Sequence, residues 1–102
     1  MDLDEELNEE TVAAINEKYP GSAKAYRCNV AFSQEISDLK TAIVKDYGRV
    51  DIIIHNAGLI AGSPITEFDD IYVHSVIAVN LTSHFLVNNL LFYTYSTPEM
   101  LW

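Results

Sequence analysis

A chain of 102 residues has room for one small domain. Its 49% hydrophobic content suffices for a core and is too high for a disordered segment. Fifteen acidic residues against six basic ones give a formal charge of −9, which argues against nucleic acid or an anionic membrane as partner, because binding phosphates needs positive charge.

Much of the acidity lies near the start, at Asp2, Asp4, Glu5, Glu6, Glu9, Glu10 and Glu17, and reads as a solvated helix face. That helix is predicted over residues 3–18, where Leu3, Leu7, Val12, Ile15 and Tyr19 recur at helical spacing. Tyr19-Pro20-Gly21-Ser22 ends it. Residues 24–30 are a strand candidate, with Cys28 read as a buried, inert thiol. As the single cysteine, it also excludes an internal disulfide. The clearest helical pattern runs over 34–47, with Ser33 as N-cap, a stripe of Ile36, Leu39, Ile43 and Tyr47, and Gly48 closing it.

Asp51-Ile52-Ile53-Ile54-His55 follows, three successive β-branched residues that read as a short strand buried on both faces. Asn56-Ala57-Gly58 ends it where a ligand can approach the backbone. Strand, helix, strand over 24–30, 34–47 and 50–55 implies parallel strands with a right-handed crossover. A loop over 59–65 leads to Thr66-Glu67-Phe68-Asp69, which resembles a capping box, and a long helix is predicted from Glu67 to beyond Leu86. From Asn88 onward the pattern changes, and Ser96-Thr97-Pro98 breaks the helix. No Lys or Arg occurs after Arg49.

No basic-then-apolar leader opens the chain, and Asn80, Ser83, His84, Asn88 and Asn89 keep the apolar stretch 71–95 short of a membrane span, so a cytoplasmic location is the expectation. His55, His74 and His84 have no metal-ligand spacing and read as isolated residues on different elements. Gly58 and Gly62 do not make a phosphate cradle.

Three segments carry a resemblance. Asp51-Ile52-Ile53-Ile54-His55-Asn56-Ala57-Gly58 resembles the Asn-Asn-Ala-Gly strand of the classical short-chain dehydrogenase/reductase family, with His55 in place of the first Asn. Ala25-Tyr26-Arg27-Cys28-Asn29-Val30 looks like that family's third strand, which usually ends in Asp-Val, and Val76-Ile77-Ala78-Val79-Asn80-Leu81-Thr82 looks like its fourth helix. The three occur in family order and spacing, and the resemblance covers residues 3–88.

The resemblance implies an NAD- or NADP-binding, Rossmann-like (doubly wound) α/β fold, here partial, with an incomplete parallel sheet flanked by helices. Residues 1–88 would form the partial NAD(P)-binding domain and 89–102 a divergent tail. It gives Asn29, with Val30, the place of the residue that holds the adenine amino group; the alternative is a strand-end Asn favouring a turn. It places Asn56, Ala57 and Gly58 under the cofactor ribose and as a brace of the sheet. It makes Asn80 the helix asparagine of the catalytic tetrad, holding a water in a proton relay; the alternative is an Asn on a partly exposed face. The partners it implies are a nicotinamide dinucleotide and a small alcohol/carbonyl substrate, with homo-oligomerisation through helix 67–88.

Within these 102 residues no Tyr stands four before a Lys: Ala14, Pro20, Ile36 and Thr41 precede Lys18, Lys24, Lys40 and Lys45. Nor is there a Gly-rich turn to seat a pyrophosphate, or the strand bearing the family's serine. In the strand order 3-2-1-4-5-6 the two strands identified here would stand about 14 Å apart. The sequence therefore reads as an internal piece of such an oxidoreductase, without turnover of its own. The other readings are a non-catalytic module docking through its C-terminal helix and Trp102, or a truncated gene product.

Overall fold

The computed structural model describes residues 1–60 and 62–92, the last three of these by main chain alone. Helix α1 spans Glu5–Lys18. Its N-cap is Asp4, whose carboxylate accepts from the amide of Leu7 at 3.0 Å. Glu5 and Glu6 sit at the positive end of its dipole and Lys18 at the negative end. None of its residues is buried, so the apolar stripe read from the sequence faces no partner along most of its length. Two asparagines hold the helix down instead. Asn8 Nδ2 donates to the carbonyl of Tyr26 (3.0 Å). Asn16 donates to the carbonyl of Ala23 and accepts from its amide (3.0 and 2.9 Å).

Helix α2 spans Ser33–Tyr47. Ser33, expected as the N-cap, is instead the first helical residue; Phe32 occupies the cap and makes no side-chain bond there. Glu35 supplies the missing tie, accepting from the amide of Asn29 at 2.7 Å. At the other end Gly48 has φ 78°, a left-handed stop that favours glycine. Ile36 and Leu39 are buried from α2 and form the core with Cys28, Val30 and Val87. Tyr47, the last residue of the expected stripe, is exposed.

The helix expected from Glu67 without interruption is divided. A 3-10 turn over Ile65–Glu67 precedes α3 (Asp70–Ile77), a π segment covers Ala78–Thr82, and α4 runs over Ser83–Phe92. Asp69, read as the last residue of a capping box, is itself the N-cap and accepts from the amide of Tyr72 at 2.7 Å. The π segment shows in the amide of Ser83, which donates five residues back to Ala78. The hydroxyl of Ser83 bonds the carbonyl of Val79 (2.6 Å). Helix α4 packs against α2, with Val87 in the core.

The expected incomplete parallel sheet is not formed among the described residues. Residues 24–30 and 50–55 carry no strand ladder; a single parallel bridge joins Asp2 to Arg27. Its two bonds run from the amide of Asp2 to Tyr26 and from the amide of Cys28 to Asp2 (3.2 and 3.0 Å). The physical reason is spacing: the two extended segments flank a cleft, where Asp2 alone among the described residues supplies a main-chain donor and acceptor to the first and nothing does so for the second. The molecule measures 46 × 42 × 19 Å. Val50 and Ile53 pack toward the core, whereas Ile52 and Ile54 are 80% and 84% exposed. The residues 93–102, including Trp102 and most of the expected tail, lie outside the described residues. Among the described residues no helix is long and apolar enough to cross a membrane.

Candidate functional site

The cleft between the two extended segments has a volume of about 350 Å³. Cys28, Asn29 and Val30 form one wall. The other is the run from Ile53 through Asn56, Ala57 and Gly58 to Leu59. Val79, Ser83, His84 and Val87 come from the helices, and Met1, Asp2 and Leu3 from the chain start. Five of the six residues singled out from the sequence thus line one cavity: Asn29, Val30, Asn56, Ala57 and Gly58.

Asn29 is held by its own turn. Its Oδ1 accepts from the amide of Ala31 (3.0 Å), its carbonyl accepts from the amide of Phe32 (3.1 Å), and its amide is bound to Glu35. This is the local bonding by which asparagine shapes a strand end. It leaves the Nδ2 hydrogens and one Oδ1 lone pair to meet a ligand. Arg27 pairs with Glu35 at 3.7 Å, which steadies the same corner.

Asn80 reaches the site from the π segment. Its Oδ1 accepts from the amide of Leu59 (2.7 Å), and its Nδ2 donates to the carbonyl of the same residue (2.8 Å). The amide side chain therefore fixes the backbone immediately after Gly58. A Cβ built on Gly58 would lie 3.5 Å from Asn80 Oδ1, an ordinary contact, so room beside that clamp does not by itself require glycine. Asn80 is exposed, and the clamp leaves one donor hydrogen and one lone pair for water.

The histidines need correction. His55 and His84 are not isolated: their rings stack with centroids 4.4 Å apart, and His55 Nε2 donates to Asn88 Oδ1 at 3.0 Å. Both rings line the cleft. Sequence spacing could not reveal a pair separated by 29 positions, but the signal was present in Asn88, a polar residue inside an apolar helix. Among the described residues no cluster of three or more His, Cys, Asp or Glu side chains could hold a metal ion.

Burial, followed by the nearby Glu35 carboxylate, pushes the Cys28 thiol above its usual value and keeps it protonated. No Lys or Arg lines the cleft. Amides, small residues and aliphatic walls in this lining fit the adenine and ribose of a dinucleotide; it has no Lys or Arg side chain to hold the pyrophosphate, and Asp2 adds a carboxylate that would oppose it.

Comparison with known proteins agrees with this geometry. The sequence profile described as short chain dehydrogenase matches residues 1–97. The bovine (Bos taurus) short-chain dehydrogenase/reductase family 16C member 6 is 33% identical over 84 residues, 82% of this chain and 27% of the relative. The 5-keto-D-gluconate 5-reductase of Escherichia coli K12 is 34% identical over 84 residues, 82% of this chain and 30% of the relative. The chain thus spans less than a third of the length of these two relatives. A metagenomic short-chain oxidoreductase crystallised with NADP superposes with a TM-score of 0.80 at 25% identity, covering 89% of this chain and 41% of that one. The helices and extended segments accordingly have the arrangement of a Rossmann-type α/β fold, though without a hydrogen-bonded ladder between the described segments. With its profile match over nearly the whole sequence and these likenesses in sequence and backbone, the chain belongs to the short-chain dehydrogenase family, whose solved members include complexes with NADP.

Proposed function

We propose that this chain is the adenosine-facing portion of an NAD(P)-dependent oxidoreductase acting on an alcohol/carbonyl pair, and that it does not turn over as 102 residues. The observation that supports the reading most is the convergence of Asn29, Val30 and the Asn56–Gly58 turn on one cleft whose lining suits a nucleoside. In this reading Asn29 and Val30 meet the adenine, and Asn56, Ala57 and Gly58 lie under the ribose. Asn80 is a positioning residue that holds Leu59 and offers its remaining polar groups to a water. Residues 1–88 form the binding portion, and 89–102 are a tail divergent in sequence. Bound dinucleotide supplies the hydride donor or acceptor. The tyrosine–lysine pair that would move the accompanying proton is not among these residues. The chain acts in the cytoplasm in this reading.

The test has two arms. Titration with NADPH, NADH and AMP, followed by nucleotide fluorescence or calorimetry, should give weak saturable binding, with AMP retaining most of it. Incubation with either reduced cofactor and a panel of ketones, or either oxidised cofactor and polyols, should leave the nicotinamide absorbance at background. Absence of binding for all three nucleotides would refute the site, and turnover would refute the inactivity.

A second reading is supported by the outer side of the C-terminal helices. Ile71, Ile77, Leu81 and Phe85 are all exposed there. As a non-catalytic module, the chain would dock through this region, the helix 67–88 of the sequence reading, onto a longer relative or another copy. Size-exclusion chromatography with Phe85→Lys distinguishes this from the first reading, because that change leaves the cleft untouched.

A further inference from the structure

The short segment from His55 to Leu59 carries the residues assigned to the ribose, and it is tied to the C-terminal helices at both ends. At one end Asn80 bonds Leu59 twice, at 2.7 and 2.8 Å. At the other, His55 Nε2 donates to Asn88 Oδ1 at 3.0 Å, and the His55 ring stacks on that of His84. His84 and Asn88 stand four apart on α4 and so share one helix face. A single imidazole can therefore take the stack and the bond together. The nucleotide reading uses the first tie and leaves the second without a role.

The two spans match. Asn80 and Asn88 are eight positions apart, about 12 Å along a helix. The four residue steps from His55 to Leu59 reach at most about 14 Å. The segment thus runs back along the helices, its first residue against Asn88 and its last against Asn80. With so little length to spare, loosening one anchor slackens the other.

We infer that His55, His84 and Asn88 are positioning residues of the cleft: together with Asn80 they bracket Asn56, Ala57 and Gly58 and fix that wall opposite Asn29. His55 stands where the family pattern has asparagine, and an asparagine offers His84 no ring to stack on. The stacked half of the bracket is therefore a property of this sequence. Its consequence for a nucleoside rests on the nucleotide reading; the bracket itself does not.

Transmission across the turn tests the bracket without any ligand. Asn88→Leu keeps the bulk and deletes the acceptor. Asn88 does not bond Leu59, yet the Leu59 amide should exchange about threefold faster or more in this variant, the loss of one neutral bond. Asn88→Asp keeps an acceptor for the ring N–H and should restore slow exchange. Asn80→Ala touches neither ring, yet it should move the His55 ring-proton resonances toward unstacked positions. Adenosine titration supplies the second readout, because adenosine has no phosphate to respond to the charge of Asn88→Asp. Asn88→Leu should weaken adenosine about two- to tenfold, and Asn88→Asp should recover it. Asn16→Ala cuts a tie of the same chemistry outside the cleft and should leave adenosine affinity unchanged. Should Asn88→Leu lose protection throughout α2, it has unfolded, and the ring shift in Asn80→Ala decides. Substitutions that disturb only their own end of the turn overturn the bracket. So does adenosine binding that Asn88→Leu leaves unchanged. If the unsubstituted chain binds no nucleoside at all, the nucleotide reading fails, while the exchange rates and ring shifts still decide the bracket.

Discussion

The region 50–60 is richer in apolar residues than the region 24–47, 7 of 11 against 12 of 24, yet it is the less buried of the two. In the region 24–47, Cys28, Val30, Ile36 and Leu39 are buried, with Ile36 at 1% exposure, because α2 lies over its own extended segment and α4 closes the far side. In the second, Val50 and Ile53 reach the core only in part, while Ile52, Ile54 and Ile60 face outward. The difference is one of sequence distance. The first region is covered by a helix that follows within a few residues. The second needs cover and strand neighbours that local sequence does not provide. A β-branched run is therefore a promise of burial that only distant chain can keep.

Stability measurements can break this comparison. Ile36→Ala removes a side chain from the centre of the core and should cost about 2–5 kcal/mol. Ile54→Ala, measured at concentrations too low for association, should change stability by less than about 0.5 kcal/mol. Urea denaturation followed by helix signal reads both. Equal losses would mean that 50–55 is as well packed as 24–47, contrary to the exposure seen here.

The clamp between Asn80 and Leu59 is one of the ties that hold the second region, beside the bond and stack of His55, and its removal sharpens the contrast. Asn80→Ala deletes two bonds to one residue and should cost about 1–3 kcal/mol, toward the lower figure because the site is exposed. The more specific readout is hydrogen exchange. The Leu59 amide should exchange faster while the amides of α2 keep their protection. Asn80→Asp keeps the acceptor and loses the donor, so it should recover protection at Leu59 in part. Uniform loss of protection across α2 would show that the clamp supports the whole fold and not this loop.

The same division explains what could be read from the sequence. Helix α2 was legible because its stripe, its closing glycine and its cover are all local. The stripe of α1 was legible too, but periodicity gives a face and not a partner, and Leu7 and Ile15 are exposed. The order of 24–30, the helix and 50–55 was legible; the incomplete parallel sheet is not formed among the described residues, and the gap between the two segments was itself expected from the strand order. Residue types identified five cleft residues through family resemblance, yet gave no hint of the His55–His84 stack or of the π segment. One local signal reached further than it was used. Asn8, Asn16, Asn80 and Asn88 all sit inside helices, where asparagine is unfavourable; Asn16 ties its helix to the turn that follows, and the other three tie theirs to segments 18 to 33 positions away.

The smallest effect expected is one of pH, and it concerns how the first region is fastened. Tyr26 donates its hydroxyl to Asp46 at 2.6 Å, and Lys24 pairs with the same carboxylate at 3.0 Å. This joins the extended segment to the end of α2. Burial of the ring, then the bond to Asp46, pushes the Tyr26 hydroxyl well above the usual value of about 10. The bond from Tyr26, then that from Lys24, holds Asp46 below the usual value of about 3.9. The signs follow by linkage. A raised tyrosine contributes stability that is present below about pH 10 and is lost as pH climbs toward its folded value. A lowered carboxylate contributes stability that is present above about pH 4 and is lost as pH falls toward its folded value. These two groups therefore leave the urea midpoint of the native chain unchanged between these limits and lower it at both ends, and the raised Cys28 thiol adds to the alkaline drop. Tyr26→Phe keeps the half-buried ring and removes both the ionising group and the bond. Its alkaline drop should become shallower, while the acid drop should persist in part, because Lys24 still holds Asp46. An alkaline limb unchanged by the substitution would show that another group carries it, and that α2 is fastened to the extended segment by packing alone.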